Sequence, residues 1–418
     1  LQTMFTQRHL APKLLTALNS SPIVFISGAR QAGKSTLVQT LSASHFPADY
    51  VTFDSPTAMA AAVSNPDFFL SRDRPLIIDE VQLVPDIFRA LKKRIDDLRL
   101  KDKANSNGRY LLTGSANIMA LPKLADALVG RMALLRLYPL SALELHEQSG
   151  TFLSNLFNNR FPYQTLSTSM EATLTTIRDA TFPELPGKTE AERERWFDNY
   201  ISTLLQRDMR QIAEVEKITL LPSLLRLMAA RAGNLVNDSE IARSVGLNAV
   251  TGKRYRTLLE FMYLTTDIPP WFRNIEKRLV KAPKAYLLDT NLLCHTLGYR
   301  LQDLPLHNPT LFGHVLENFV ASELIKQLSF SNTRANLFHF RTSDGKEVDF
   351  VLEQPNGQLA GVEVKAAGQV QSIDFKGLQE LQQQVGDDFL CGVVLYQGTE
   401  TVPFGEKLWA VPLPALWH

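Results

Sequence analysis

The sequence predicts an α/β protein of several domains, and three observations carry that expectation. Between residues 22 and 139, strand-like apolar runs alternate with helical stretches, the signature of a parallel sheet covered on both faces. The first of these runs ends in a glycine-rich loop that opens a helix. Beyond Pro139 the alternation stops, short helical pieces follow, and a second set of alternating strands appears near the end of the chain. The expected boundaries are a P-loop core over 1–150, a helical lid or connector over 151–215, a winged-helix module over 216–300 and a second α/β domain over 301–418.

The elements follow in order. Strands are expected at 22–27, 50–54, 75–80, 109–113 and 132–138, with helices at 34–43, 57–64 and 85–100 between them. A long helix is expected over 190–213, then shorter ones at 219–231, 238–245 and 249–262. The break Ile268-Pro269-Pro270 leads to a basic stretch and a strand at 285–288. A polar linker near 300–309 precedes a helix at 311–328. Strands at 337–341, 347–353 and 359–366, a helix near 373–385 and an apolar run at 389–396 complete the pattern.

Composition narrows the function classes. The 418 residues carry 44 Lys+Arg against 43 Asp+Glu, a net charge of +1, so any nucleic-acid site must be a local patch. Cys294 and Cys391 are the two cysteines, too far apart in sequence for a CxxC metal or redox motif. They fit a reducing compartment. No run of 18 apolar residues appears, and residues 1–8 lack the pattern of a secretory signal. Met4 is a candidate start, and the expected location is cytoplasmic, with no membrane partner.

Strand 22–27 runs into Gly28-Ala29-Arg30-Gln31-Ala32-Gly33-Lys34-Ser35, followed by Thr36 in a new helix. This is the G-x-x-x-x-G-K-[ST] pattern. Its glycines let backbone N–H groups turn inward onto phosphate oxygens, and the helix adds its positive end. Lys34 is expected at the β/γ oxygens and Ser35 at Mg²⁺, making ATP and Mg²⁺ the implied cofactors. Residues 28–36 form the expected binding loop.

A second element, Pro75-Leu76-Ile77-Ile78-Asp79-Glu80, ends an apolar strand in two acids. Asp79 is placed to hold Mg²⁺ through water, and Glu80 to polarise the attacking water. The strand ending Leu111-Leu112-Thr113-Gly114-Ser115 offers Thr113 or Ser115 as a γ-phosphate sensor, a turn-forming hydroxyl being the alternative. Arg131 is a candidate for stabilising charge on a neighbouring subunit's nucleotide, with a surface salt bridge as its alternative.

These motifs, with Gly130-Arg131 and Leu137-Tyr138-Pro139-Leu140-Ser141, resemble AAA-superfamily ATPases of bacteria and archaea. Those proteins carry a C-terminal domain of unknown function with restriction-endonuclease-like motifs. The likeness extends to Lys277-Arg278-Leu279-Val280-Lys281-Ala282-Pro283-Lys284 and Asp289, and is weakest over 142–195. It implies ATP binding and hydrolysis, without naming a pathway.

Residues 238–262 have helix-turn-helix spacing, with Gly246 in the turn and Lys253, Arg254 and Arg256 on the second helix. Over 243–284 nine basic residues face three acidic ones, a local excess suited to phosphate contact. Lys253, Arg254, Arg256 and the 273–284 stretch are therefore candidate nucleic-acid contacts, and Tyr255 and Trp271 candidate stacking groups. A packing domain or a merely solvated helix face is the alternative.

Near the C-terminus, Pro355-Asn356-Gly357 fits a three-residue hairpin loop with Gly357 left-handed. Opposed residues then sum to 712. Val348, Phe350 and Leu352 face Val364, Val362 and Ala360, while Asp349 faces Glu363 and Glu347 faces Lys365. A two-residue loop would scramble the apolar face. Opposed carboxylates repel, and a divalent cation between them would relieve this.

Asp349, Glu363 and Lys365 resemble the core of the PD-(D/E)xK nuclease fold, in which acids hold Mg²⁺ and the lysine orients water. Glu317 is a candidate third acid, on a helix face that small Gly313 and Ala321 would let approach closely. Arg341 is a candidate phosphate contact. The alternative is an inherited fold used for binding, with Asp349 screened by Arg341 or Lys365.

The expected fold class is thus α/β, with an AAA-type P-loop ATPase domain, a winged-helix domain and a restriction-endonuclease-like α/β domain. The expected function is ATP hydrolysis that gates DNA or RNA processing. Its alternative is a nucleotide-dependent switch binding protein or nucleic acid, with an inactive nuclease-like domain. Homo-oligomers are compatible with either.

Overall fold

The computed structural model describes residues 6–101, 106–115, 130–162, 165–166, 169–205 and 218–418. The chain divides into two compact units. The first holds residues up to Leu140 with the short pieces Phe182–Glu184 and Phe261–Tyr263, and the second holds the remainder.

In the first unit, β1 (Ile23–Ser27), β2 (Asp49–Thr52), β3 (Leu76–Asp79), β4 (Tyr110–Gly114) and β5 (Met132–Arg136) form a five-stranded sheet among the described residues. Its order is β2-β3-β4-β1-β5, and every pairing is parallel. Parallel strands buried on both faces read as continuous apolar runs, and the Ile-Val-Phe-Ile of β1 and Leu-Ile-Ile of β3 are fully buried for that reason. Helices Lys34–Ser44, Pro56–Ser64 and Ile87–Lys101 fall where periodicity expects them. Leu91 and Ile95 of the third pack with Ile78 and Leu112 in one core. All five strands run the same way, so their carboxyl ends share one edge, where open α/β sheets bind ligands.

The second unit begins with helices and ends in a mixed sheet. Helix Glu190–Thr203 is capped by Thr189 and Glu192, whose side chains bond reciprocally to each other's backbone N–H. The part of the expected 190–213 helix beyond Leu205 lies outside the described residues. Helix Asp238–Ser244 turns at Gly246 (φ +73°) into helix Ala249–Phe261. The two pack so closely that a Cβ on Gly252 would lie 2.5 Å from that of Ala242. An antiparallel pair follows, β6 (Thr265–Ile268) with β7 (Lys284–Leu287). Periodicity did not reveal β6, whose Thr-Thr-Asp-Ile lacks a clean alternation.

Helix Pro309–Phe330 is buried around most of its circumference. The expected linker before it is instead two short helical turns, Leu301–Asp303 and Leu304–His307, held by buried Leu301 and Leu304. Then come β8 (Asn336–Arg341), β9 (Glu347–Glu353), β10 (Leu359–Val364), β11 (Phe389–Tyr396), β12 (Val402–Gly405) and β13 (Leu408–Pro412). They order as β12-β13-β11-β10-β9-β8, antiparallel from β8 to β10 and parallel from β10 through β11 to β13.

The hairpin register is as expected: Phe350 pairs with Val362, Leu352 with Ala360 and Glu353 with Leu359. Gly357 has φ +86°, and its N–H donates to the carbonyl of Gln354, closing the turn. The ladder stops at Phe350 and Val362. Beyond it the two strands stay linked: the Asp349 N–H donates to the Glu363 carboxylate at 3.3 Å, and the Val364 N–H to Asp349 at 2.9 Å.

Candidate functional site

The glycine-rich loop leaves β1 at the carboxyl edge of the first sheet. Gln31 and Gly33 take positive φ (61° and 92°), which lets the loop curl before the helix starts at Lys34. A Cβ on Gly28 would lie 2.0 Å from the carbonyl oxygen of Leu137, so only glycine fits there. Lys34 is buried, and its ammonium donates to the carbonyls of Gly28 (3.0 Å) and Ala29 (2.9 Å). Burial lowers its pKa to about 8 despite the nearby Glu80 and Asp79. A buried ammonium satisfied by two neutral carbonyls suits an incoming polyanion. Ser35, half-buried, opens the same helix.

Register sets the rest. Ile78 of β3 pairs with Leu112 of β4, which puts Asp79 beside Thr113, and Ile26 of β1 pairs with Thr113. The Thr113 hydroxyl donates to Oδ1 of Asp79 and accepts from the backbone N–H of Glu80 at 3.3 Å. Glu80 has φ +55°, and its carboxylate accepts from Nε2 of Gln82, which also reaches the Ser115 hydroxyl at 3.0 Å. Both oxygens of Asp79 are engaged, since Oδ2 accepts from the Tyr50 hydroxyl at 2.7 Å. Burial and this bond raise the Tyr50 pKa. With both oxygens so occupied, Asp79 would reach a Mg²⁺ ion through water. The residues present fit MgATP.

Sequence reasoning missed three contributors here. Arg8 donates to the carbonyls of Ala32 and Tyr138, both at 2.6 Å, and so braces the loop from the N-terminal side. Tyr50 and Gln82 were missed because nothing in their local sequence marks them.

Arg131 lies apart from this loop and makes the ion pair offered as its alternative. It precedes β5, its carbonyl accepts from the N–H of Ile23, and it therefore lies at the amino edge of the sheet. That is about 13 Å along β1 from the loop. Its guanidinium pairs with Asp96 through Nε at 2.7 Å and Nη2 at 3.0 Å, the salt-bridge alternative. The arginine at the carboxyl end of β5 is Arg136, in register with Ser27.

In the second unit, several basic residues expected to face nucleic acid are turned inward. Arg256 is 6% exposed and pairs with Asp238 (2.9 Å), Glu260 (2.8 Å) and Asp267 (2.6 Å). Burial opposes its charge, but Asp267 and Asp238 outweigh that and raise its pKa. Arg278 lies over the Trp271 and Phe338 rings and bonds Glu353. Trp271 and Tyr255 are buried as well, Trp271 donating to Glu353 at 3.1 Å. Lys253, Arg254, Lys277 and Lys281 remain exposed. Asp289 caps helix Thr290–Leu297 by accepting from the N–H of Leu292 at 2.8 Å.

The C-terminal carboxylates converge on a lysine. Lys284 of β7, 3% exposed at its side chain, pairs with Glu317 (3.1 Å), Glu347 and Asp349 (3.4 Å). Glu317 also accepts from the Tyr286 hydroxyl at 2.7 Å. Close approach to Glu317 comes from Gly233, where a Cβ would lie 3.0 Å from its carboxylate, and not from Gly313, which has open space. Asp349 accepts from the N–H of Val364 at 2.9 Å, and Glu363 pairs with Lys365 at 2.8 Å. Arg341 pairs with Glu347 at 3.3 Å, so Asp349 is screened directly by Lys284, with the expected Lys365 also acting on it.

Burial and the Asp349 charge push Glu317 up to about 7 and Glu363 to about 8. Lys284 is held above its ordinary value by Asp349, Glu317 and Glu347 against the effect of burial. Among the described residues no group of three His, Cys, Asp or Glu side chains is arranged to hold a metal ion. Asp349 lies near both other expected acids, bonding the Glu363 carboxylate through its N–H and sharing Lys284 with Glu317.

Residues 20–146 match the family model of an AAA domain, residues 180–303 a domain of unknown function (DUF8612) and residues 312–416 another (DUF4143). The chain is 28% identical to an uncharacterised protein of Mycobacterium tuberculosis over 412 residues, covering 98% of this chain and 84% of that protein. It is 24% identical to an uncharacterised protein of Haemophilus influenzae, covering 84% and 85%. A solved Walker-type ATPase of Pyrococcus abyssi is 14% identical, with a TM-score of 0.43, over 71% of this chain and 97% of that one. No helix among the described residues is long and apolar enough to cross a membrane.

Proposed function

We propose that the first unit binds and hydrolyses MgATP, and that the second acts as a binding module driven by that cycle and not as a nuclease. One observation carries the ATPase reading. At the carboxyl edge of a parallel sheet, Thr113 links Asp79 to the backbone of Glu80, beside a loop whose Lys34 is buried. The AAA-domain match over 20–146 supports it.

In this reading the loop's N–H groups and Lys34 bind the β and γ phosphates, while Ser35 and Asp79 hold Mg²⁺. The bound Mg²⁺ neutralises charge on the phosphate oxygens. Glu80 orients the attacking water, and Thr113 senses whether the γ-phosphate is present. The test is nucleotide binding and turnover with purified protein. Lys34→Ala should lose ATP binding, while Glu80→Gln should bind ATP but turn over at least a hundredfold more slowly. A Lys34→Ala protein with unchanged ATP affinity would sink the reading.

For the second unit we keep a winged-helix module over 216–300 and a nuclease-like fold over 301–418. Helices 238–244 and 249–261 followed by β6 and β7 support the first. The Asp349, Glu363 and Lys365 hairpin supports the second. Lys284 among the carboxylates favours binding over cleavage. Nucleic acid would meet the exposed Lys253 and Arg254. Reversing both charges should flatten the salt dependence of DNA affinity by about two units of log–log slope. Metal-dependent cutting that Asp349→Ala abolishes would restore the nuclease reading.

A further inference from the structure

Three places invite a further reading. A cavity of about 410 Å³ is lined by Arg178, Arg193, Asp198, His295 and Arg300. There Arg178 pairs with Asp179, His295 with Asp198 and Arg300 with Glu194, so no ligand class is singled out. Helix Ile275–Val280 exposes Ile275 and Leu279, but nothing identifies what covers them. The carboxylate cluster around Lys284 goes further.

The cation there is not a stray side chain. Lys284 is fixed by its backbone, in register with Ile268 of β6 and bridged to Leu235 on its other side. An ammonium has three N–H donors, and Lys284 has three carboxylate partners, Glu317, Glu347 and Asp349. Two positions along β7, Tyr286 points to the same cluster and donates to Glu317. Gly233, at φ +80°, closes against Glu317 from another side.

The acids come from helix 309–330 and β9, within the segment 312–416, whereas the ammonium comes from the segment 180–303. A divalent ion bound by these carboxylates would sit within a few ångströms of a buried positive charge. Like charges that close in a poorly solvated site repel strongly.

We propose that Lys284 is the resident cation of this cluster. It takes the place that the nuclease resemblance reserves for Mg²⁺, and it makes the cluster a metal-independent clamp between the two segments. The proposal builds on the reading of the second unit as a non-cutting module, but its test reads metal binding and not cleavage or ATP turnover.

The experiment titrates the full chain with Mn²⁺ without nucleotide, followed by electron paramagnetic resonance. An Asp79→Asn background removes the phosphate-site carboxylate. The parent protein should show no Mn²⁺ site sensitive to Asp349→Asn. Lys284→Ala should gain one site, at least tenfold tighter than any background binding, and lose it again with Asp349→Asn.

Lys284→Met, which keeps the aliphatic stem, serves where the alanine variant does not fold. An Asp349-dependent Mn²⁺ site in the parent overturns the proposal. So does a folded Lys284 variant that gains no site. ATP binding measured separately on protein with Asp79 intact separates its failure from that of the ATPase reading.

Discussion

Tyr50 on β2 donates its hydroxyl to Oδ2 of Asp79 on the neighbouring β3, at 2.7 Å. With Thr113 on Oδ1, this leaves the carboxylate a single orientation. Tyr50→Phe should lower ATP turnover about tenfold, equivalent to about 1.4 kcal/mol, the scale of one hydrogen bond to a charged group. ATP affinity measured without Mg²⁺ should stay unchanged. Steady-state kinetics with a Mg²⁺ titration checks this, and unaltered turnover would show that Tyr50 does not position Asp79.

Gly28 is packed against backbone, not against a side chain that can move aside. The obstructing Leu137 carbonyl is fixed because the Leu137 N–H donates to Ser27 at 2.8 Å. Gly28→Ala should cost about 2–4 kcal/mol of unfolding free energy in urea melts, as a forced overlap in a packed interior does.

Arg131→Ala should leave ATP turnover within twofold of the parent, because its partner Asp96 and its strand position put it away from the loop. Its partly exposed ion pair should contribute only about 0.2–1 kcal/mol to stability. A large loss of turnover on mixing with intact subunits would return it to the nucleotide site.

One guanidinium holds three carboxylates at Arg256. Arg256→Ala should destabilise the protein by about 3–5 kcal/mol, since Asp238, Glu260 and Asp267 would lose their shared cation. Glu260 adds a pH signature. Burial and Asp267 raise it from 4.5 to about 7 in the folded protein. The folded state therefore binds its proton more tightly, so its contribution is full below pH 4.5 and fades as pH rises through 7. Glu260→Gln should gain stability relative to the parent over that window. The gain should be about 1–2 kcal/mol at pH 8, solvent at the 31%-exposed carboxylate screening the rest. Melts at pH 5 and pH 8 test this, and an equal difference at both would contradict it.

Legibility followed sequence distance. The phosphate loop and the Asp79-Glu80 strand end could be read because each needs only neighbouring residues in a fixed order. The β9–β10 register could be read because side chains alternate and Gly357 demands a left-handed turn. The amino-edge position of Arg131 could also be read, since a residue before a strand in a parallel sheet lies at that edge. The basic count over 243–284 treated Arg256, Arg278 and Lys284 as surface charge, and charge counting cannot tell a solvated guanidinium from a buried one.

The sequence by itself determined the class of the first sheet, the glycine-rich loop at its carboxyl edge and the hairpin that carries Asp349 and Glu363. Tertiary structure alone decided that Tyr50 orients Asp79, that Arg8 braces the loop, and that Lys284 neutralises acids up to 65 positions away. The physical reason is that local geometry is set by backbone preference and side-chain period. The partner of a buried charge is set by which strands and helices pack together.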